Sequence, residues 1–193
     1  MSAQMNLARS SNGWLKTYYY LRFAVSAVWV LVAFTVAKNA TLLAAVMLVA
    51  YPAWDALANY VDAQRSGGLG RNRSQLLNFA VSILTAIAVA IAFGRGMNAV
   101  LTVYGIWAVV SGAFQLLTAL RRWKTSGAQW AMVLSGAQSA LAGLFFVKMA
   151  GGTEAIGIAN VAPYAAFGAF YFLVSAVWLS VGDLLRKPRQ VAS

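Results

Sequence analysis

The sequence contains no cysteine and no histidine. Without cysteine there is no disulfide, no thiolate nucleophile and no iron–sulfur ligand. Without histidine the commonest metal ligand and the commonest general base are both missing. Charge is scarce as well: 10% of the 193 residues are charged, and only four are acidic. A soluble domain usually carries about 25% charged residues and about 45–50% apolar ones. Here 61% are hydrophobic and mean hydropathy is +0.69. Too little polar surface remains to coat a water-soluble globule, so the chain reads as an integral membrane protein.

What is present is a series of long apolar runs. They fall at about 18–37, 41–64, 75–93, 98–120, 128–147 and 156–179. Each approaches the ~20 residues that a helix needs to cross ~30 Å of hydrocarbon. Lipid offers no partner to a bare backbone group, so spans of this kind must be helical. The expected fold is all-α: a polytopic membrane bundle of six transmembrane helices. A polar N-terminal tail, 1–17, precedes the membrane domain at 18–184, and a basic tail, 185–193, follows it. No apolar core with a small-residue cleavage site precedes the first span, which reads as a retained helix and not a secretory signal.

The net charge of +11 would suggest nucleic acid in a soluble protein. In a membrane protein it reflects topology and anionic lipid headgroups, and no nucleic-acid partner is expected. The distribution supports this. Arg9, Lys16, Arg22, Arg65, Arg71, Arg73, Arg121, Arg122, Lys124, Arg186, Lys187 and Arg189 fall on one side of six alternating spans. Lys38, Arg95 and Lys148 fall on the other. The rule that positive charge stays inside places both termini in the cytoplasm. Trp14, Tyr18, Tyr19, Trp123 and Trp130 near span ends suit interfacial anchoring.

The chain also repeats itself. Tyr51-x-x-Trp54 recurs 53 residues later as Tyr104-x-x-Trp107. The same ungapped shift lays Asp62 on Gln115 and Ser82 on Ser135, and a looser copy begins at Tyr164-x-x-Phe167. Three pseudo-repeated hairpins follow, at about 18–64, 75–120 and 128–180, all in one orientation.

Several stretches resemble the HdeD family of small six-span bacterial membrane proteins. They are Leu21-Arg22, Ala50-Tyr51-x-x-x-Asp55-Ala56, Tyr104-Gly105-x-Trp107-x-Val109-x-Ser111-Gly112 with Ala119-Leu120-Arg121, Leu134-Ser135-Gly136 with Leu141-Ala142-Gly143, and Tyr164 to Gly168. The Pro-Gly that this family often carries in its outer turns is missing. The resemblance implies a six-helix inner-membrane protein associated with acid or envelope stress. It implies no catalytic residues.

The groups that could carry chemistry are few. Asp55 lies near mid-membrane, where an ionised carboxylate costs several kcal/mol unless paired, protonated or hydrated. It reads as a proton-sensing or ion-path residue, or as one half of a structural bond. Arg22, near the end of the first span, is the natural cation, with Asp62 closer to its depth than Asp55; otherwise it snorkels to headgroups. Asn59 could link these groups. Gln115, Asn78, Gln138, Ser82, Ser135, Ser139 and Thr85 are uncharged span residues of the kind that hydrogen-bond across helices. Gly136, Ala140 and Gly143 with Ser135 and Ser139, and Gly105 with Gly112, form small-residue faces. These serve either packing within the bundle or self-association.

The loop Gly67-Gly68-Leu69-Gly70 lacks the Lys-Ser/Thr of a phosphate loop. No catalytic pairing, cofactor site or metal site is expected. The expectation is a non-enzymatic, stress-related membrane protein that acts by oligomerising or by binding other membrane components. One alternative is a small channel or transporter for protons or small solutes built on Asp55 and Arg22. Another is an accessory subunit of a larger membrane complex.

Overall fold

A computed structural model describes the backbone over residues 2–122 and 129–185 and the side chains over 13–117, 119–120 and 133–185. The basic turn expected at Arg121–Lys124, the side chains of Arg9, Trp123 and Trp130, and the tail from Arg186 lie outside the described side chains. The fold is all-helical. Six α-helices follow in order: α1 Ser2–Thr35, α2 Thr41–Arg65, α3 Arg73–Ala92, α4 Met97–Arg122, α5 Gln129–Ala150 and α6 Ile158–Leu185. All six are long and apolar enough to cross a membrane, so this is a multi-pass membrane protein.

Helix ends sit where the sequence changes character. One-turn 3-10 helices, Ala37–Asn39 and Phe93–Arg95, close α1 and α3. Gly96 then takes φ +97°, a backbone that side chains resist, and releases the chain into α4. The first helix is longer than its span. Residues 2–12 contain no proline and several good helix formers, so an established helix propagates back through them. The polar N-terminal segment is thus continuous with the first span. The last helix likewise runs on to Leu185.

The chain divides into two compact units, 1–30 with 165–193 and 31–164. In the first, residues 16–20 of α1 and the last half of α6 are clasped. Lys16 Nζ meets Asp183 Oδ2 at 2.6 Å, Tyr20 and Ser180 share a hydroxyl bond of 3.2 Å, and the Tyr19 and Phe172 rings stack.

In the second unit, α4 packs most extensively on α5, and α2 on α3. The tightest pairs therefore straddle the hairpins read from the repeat. The α4–α5 seam is made by glycine. A Cβ on Gly105 would lie 2.7 Å from the Gly143 carbonyl oxygen, and one on Gly136 would lie 2.9 Å from that of Gly112. Backbones this close gain dispersion along their whole length, which matters because lipid removes the hydrophobic drive between helices. The small-residue faces are thus used inside the chain. Asn98 Nδ2 adds a bond to the Ala150 carbonyl at the other end of this pair.

Exposed side chains are apolar in a way that water would not tolerate: Leu42 is 79% exposed and Trp178 75%. Facing acyl chains, the same surface carries no penalty.

Candidate functional site

Asp55 is placed by α2 and met by α3. Its Oδ2 accepts a hydrogen bond from Ser82 Oγ at 2.7 Å. Asn59, one turn along α2, donates its Nδ2 to the same oxygen at 3.0 Å and to the Asp55 backbone carbonyl at 2.8 Å. Two turns from Asp55, Asp62 Oδ2 accepts from Gln75 Nε2 at 3.2 Å. Its other oxygen is buried without a donor. The polar residues of α2 at 55, 59 and 62 keep helical spacing and so share one face, and Gln75 and Ser82 of α3 answer them. The result is a polar line between two spans, running from the turn at 66–72 to Asp55 in the interior of α2.

Ser82 was one of several span hydroxyls in the sequence, and the structure singles it out. Thr85 instead bonds back to the Val81 carbonyl of its own helix. Ser139 donates to the Ala108 carbonyl at 2.9 Å and shares a 3.0 Å bond with the Tyr164 hydroxyl. Gln115 covers Gly136 in the α4–α5 seam, with its Oε1 buried and without a partner. Arg22 sits in the other unit. Its guanidinium lies 4.2 Å from the Phe172 ring centroid, in cation–π range, and its Nη1 donates to the Tyr18 hydroxyl at 3.0 Å. The described partner of Asp62 is Gln75.

Beyond Asp55 the polar line ends at aromatic rings. The three tyrosines that mark the repeat converge on one indole. Tyr51, Tyr104 and Tyr164 sit edge-on to Trp107 with centroids 6.2, 5.7 and 6.2 Å away. Such edge-to-face contacts add about 0.5–1.5 kcal/mol each beyond burial. The repeat was legible in the sequence, but its convergence on Trp107 was not.

Tyr104 has a second task. It is fully buried, and its hydroxyl donates to the Leu48 carbonyl at 2.6 Å. Leu48 lies four residues before Pro52, which sits inside α2 and has no N–H to give. Tyr104 supplies the missing donor, as a proline within a span requires. Pro52 was the signal that could have found this bond.

The chemistry on offer is hydrogen bonding. Among the described residues, no three carboxylates, cysteines or histidines gather where a metal could sit. A carboxylate, an amide and a hydroxyl at Asp55 can hold a proton or polarise a bound water.

Comparison with known proteins adds one finding. The family model described as "Short repeat of unknown function (DUF308)" matches residues 80–148. That stretch begins in α3, contains all of α4 and ends in α5, so it includes the glycine seam. No curated protein and no solved structure matches the chain. Over its central third the chain is similar to that short-repeat family.

Proposed function

We propose that the chain is a non-enzymatic protein of the bacterial inner membrane, with both termini cytoplasmic, that serves the response to envelope or acid stress. It acts by associating with other membrane components or with copies of itself. The observation that carries this reading is how the polar groups in the spans are used. Ser82, Asn59, Gln75, Ser139 and Tyr104 bind neighbouring helices or their own. Each of these bonds ties one helix to another or closes a turn of its own helix. The match to the short-repeat family supports a repeat-built membrane protein, and the HdeD-like stretches are what suggest the stress association. Because the glycine faces meet within the chain, association uses other, lipid-facing surfaces.

The test is survival. A strain lacking the gene should lose viability under acid or envelope stress and regain it with the wild-type chain. Equal survival with and without it sinks the proposal. A reporter inserted at Gly151–Gly152 should be periplasmic, and a cytoplasmic signal there overturns the topology.

One observation favours a second reading, a proton or small-solute pathway. Asp62 Oδ1 is buried without a donor on the same helix as Asp55. An uncompensated carboxylate oxygen calls for a proton, a water or a cation. Flux into proteoliposomes that falls in Asp55→Asn and Asp62→Asn would favour this reading over the first. Flux that matches protein-free vesicles would remove it.

A further inference from the structure

The turn between α2 and α3 uses its own polar groups. The Ala63 carbonyl accepts from the Ser66 and Gly68 N–H groups, with Gly67 and Gly68 at φ +97° and +92°. Asn72 turns its side chain back across the loop and donates to the Ser66 and Gly68 carbonyls, both at 2.9 Å. The Leu69 and Asn72 carbonyls are taken by Asn72 and Leu76 N–H groups. Asp62, the carboxylate on the last turns of α2, accepts from Gln75.

Two arginines are left over. Arg71 and Arg73 are exposed, and neither guanidinium has an ion-pair or hydrogen-bond partner among the described residues; the Arg71 backbone N–H donates to the Gly68 carbonyl. Arg71 lies along the bare Gly67 backbone, since a Cβ there would sit 3.5 Å from its Cδ. Arg73 opens α3. From it a stripe of exposed apolar side chains runs down the same helix: Leu76, Leu77, Leu84, Ile87 and Ile91. From Arg73, steps of four and three lead through Leu77, the exposed Ala80, Leu84, Ile87 and Ile91, with Leu76 beside them, so they share one face below the arginine.

We propose that this turn is a binding site for an anionic phospholipid. Arg71 and Arg73 hold the headgroup phosphate, and the acyl chains lie along the Leu76–Ile91 face of α3. The occupant is a lipid and not a free phosphate for two reasons. The turn joins two spans and so stands at headgroup depth. The cationic end also continues directly into an apolar stripe, which acyl chains suit and a free phosphate would leave bare. Guanidinium forks suit phosphate oxygens geometrically, and each cation near the surface adds attraction to an anionic lipid. The site does not depend on the function proposed above.

The experiment uses the full chain in detergent, titrated with phosphatidylglycerol, phosphatidylcholine or glycerol phosphate, with bound lipid counted by native mass spectrometry. Wild type should retain phosphatidylglycerol in preference to phosphatidylcholine, and glycerol phosphate should not compete. Arg71→Gln/Arg73→Gln should weaken phosphatidylglycerol binding by about tenfold. Arg71→Lys/Arg73→Lys should recover most of it. Arg186→Gln/Lys187→Gln, which removes the same charge from the C-terminal tail, should bind as wild type. Equal weakening in the turn and tail variants would mean bulk attraction and overturn the site. Unchanged binding in Arg71→Gln/Arg73→Gln overturns it too, and effective competition by glycerol phosphate overturns the choice of a lipid. If Arg71→Gln/Arg73→Gln unfolds, the lysine and tail variants still decide: loss with lysine present, or equal loss in the tail, rejects the site.

Discussion

Gly112 and Gly136 meet backbone to backbone across α4 and α5, and neither has room for a methyl group. A Cβ on Gly112 would lie 2.7 Å from the Ala140 nitrogen, and one on Gly136 would lie 3.0 Å from Gln115 Cβ. Gly136→Val should therefore destabilise the protein by about 1–3 kcal/mol, the usual range for overpacking. Gly182→Ala, where an added Cβ meets nothing within 4 Å, should leave stability unchanged or slightly raised. Thermal unfolding in detergent separates the two. Equal melting of Gly136→Val and wild type would mean that the seam is looser than it stands here.

The Tyr104 hydroxyl and Pro52 form a thermodynamic pair although they do not bond each other. Tyr104→Phe leaves the buried Leu48 carbonyl without its donor and should cost about 1–3 kcal/mol. Pro52→Ala restores a backbone N–H four residues on. In that background Tyr104→Phe should cost clearly less. A double-mutant cycle measures the coupling, and strictly additive losses would contradict the assignment.

Ser82 and Ser139 make the same kind of bond to different acceptors. Ser82→Ala removes a donor to a carboxylate and should cost about 1.5–3 kcal/mol if Asp55 is ionised. Ser139→Ala removes a bond to a backbone carbonyl and one shared with the Tyr164 hydroxyl, and should cost about 1 kcal/mol. In an Asp55→Ala background the effect of Ser82→Ala should nearly vanish. The reverse ranking of the two serines would argue against a charged Asp55.

The Lys16–Asp183 clasp should matter little to global stability. Its side chains are 29% and 36% exposed, so about 0–1 kcal/mol is expected, falling as salt rises. Lys16→Gln should shift the melting temperature only at low ionic strength. A large, salt-independent loss would mean that the pair is far better shielded than its exposure indicates.

Much of this fold was legible in the sequence because lipid leaves so few choices. Apolar runs must be helices, and the structured ends of α2, α3 and α4 fall within two or three residues of the expected ones. The repeat was legible too, but not its register. An ungapped shift equates Ser82 with Ser135, whereas in space it is Ser139, one helical turn further on, that meets the Asp55 equivalent, Ala108. A slip of one turn preserves the face of a helix, so residue pattern alone does not detect it. The glycine contacts of α4 with α5 set that register, and α2 and α3 have no such glycines. For the polar residues, the sequence showed that Asp55, Asn59 and Asp62 share a face. It could not show which neighbour answers them, because every span offers a serine, an asparagine or a glutamine.

The Tyr104–Leu48 bond also bears on how the chain is made. Its partners stand 56 residues apart, on α2 and α4. A chain inserted from its N-terminus delivers α2 to the membrane first, with one carbonyl near its centre lacking a helical donor. Until α4 arrives, that carbonyl must keep a water or hold α2 close to the insertion machinery. The second span is therefore an unfinished membrane helix on its own, and the fourth completes it. Tyrosine at 104 thus completes, from the fourth span, a hydrogen bond that proline removed from the second.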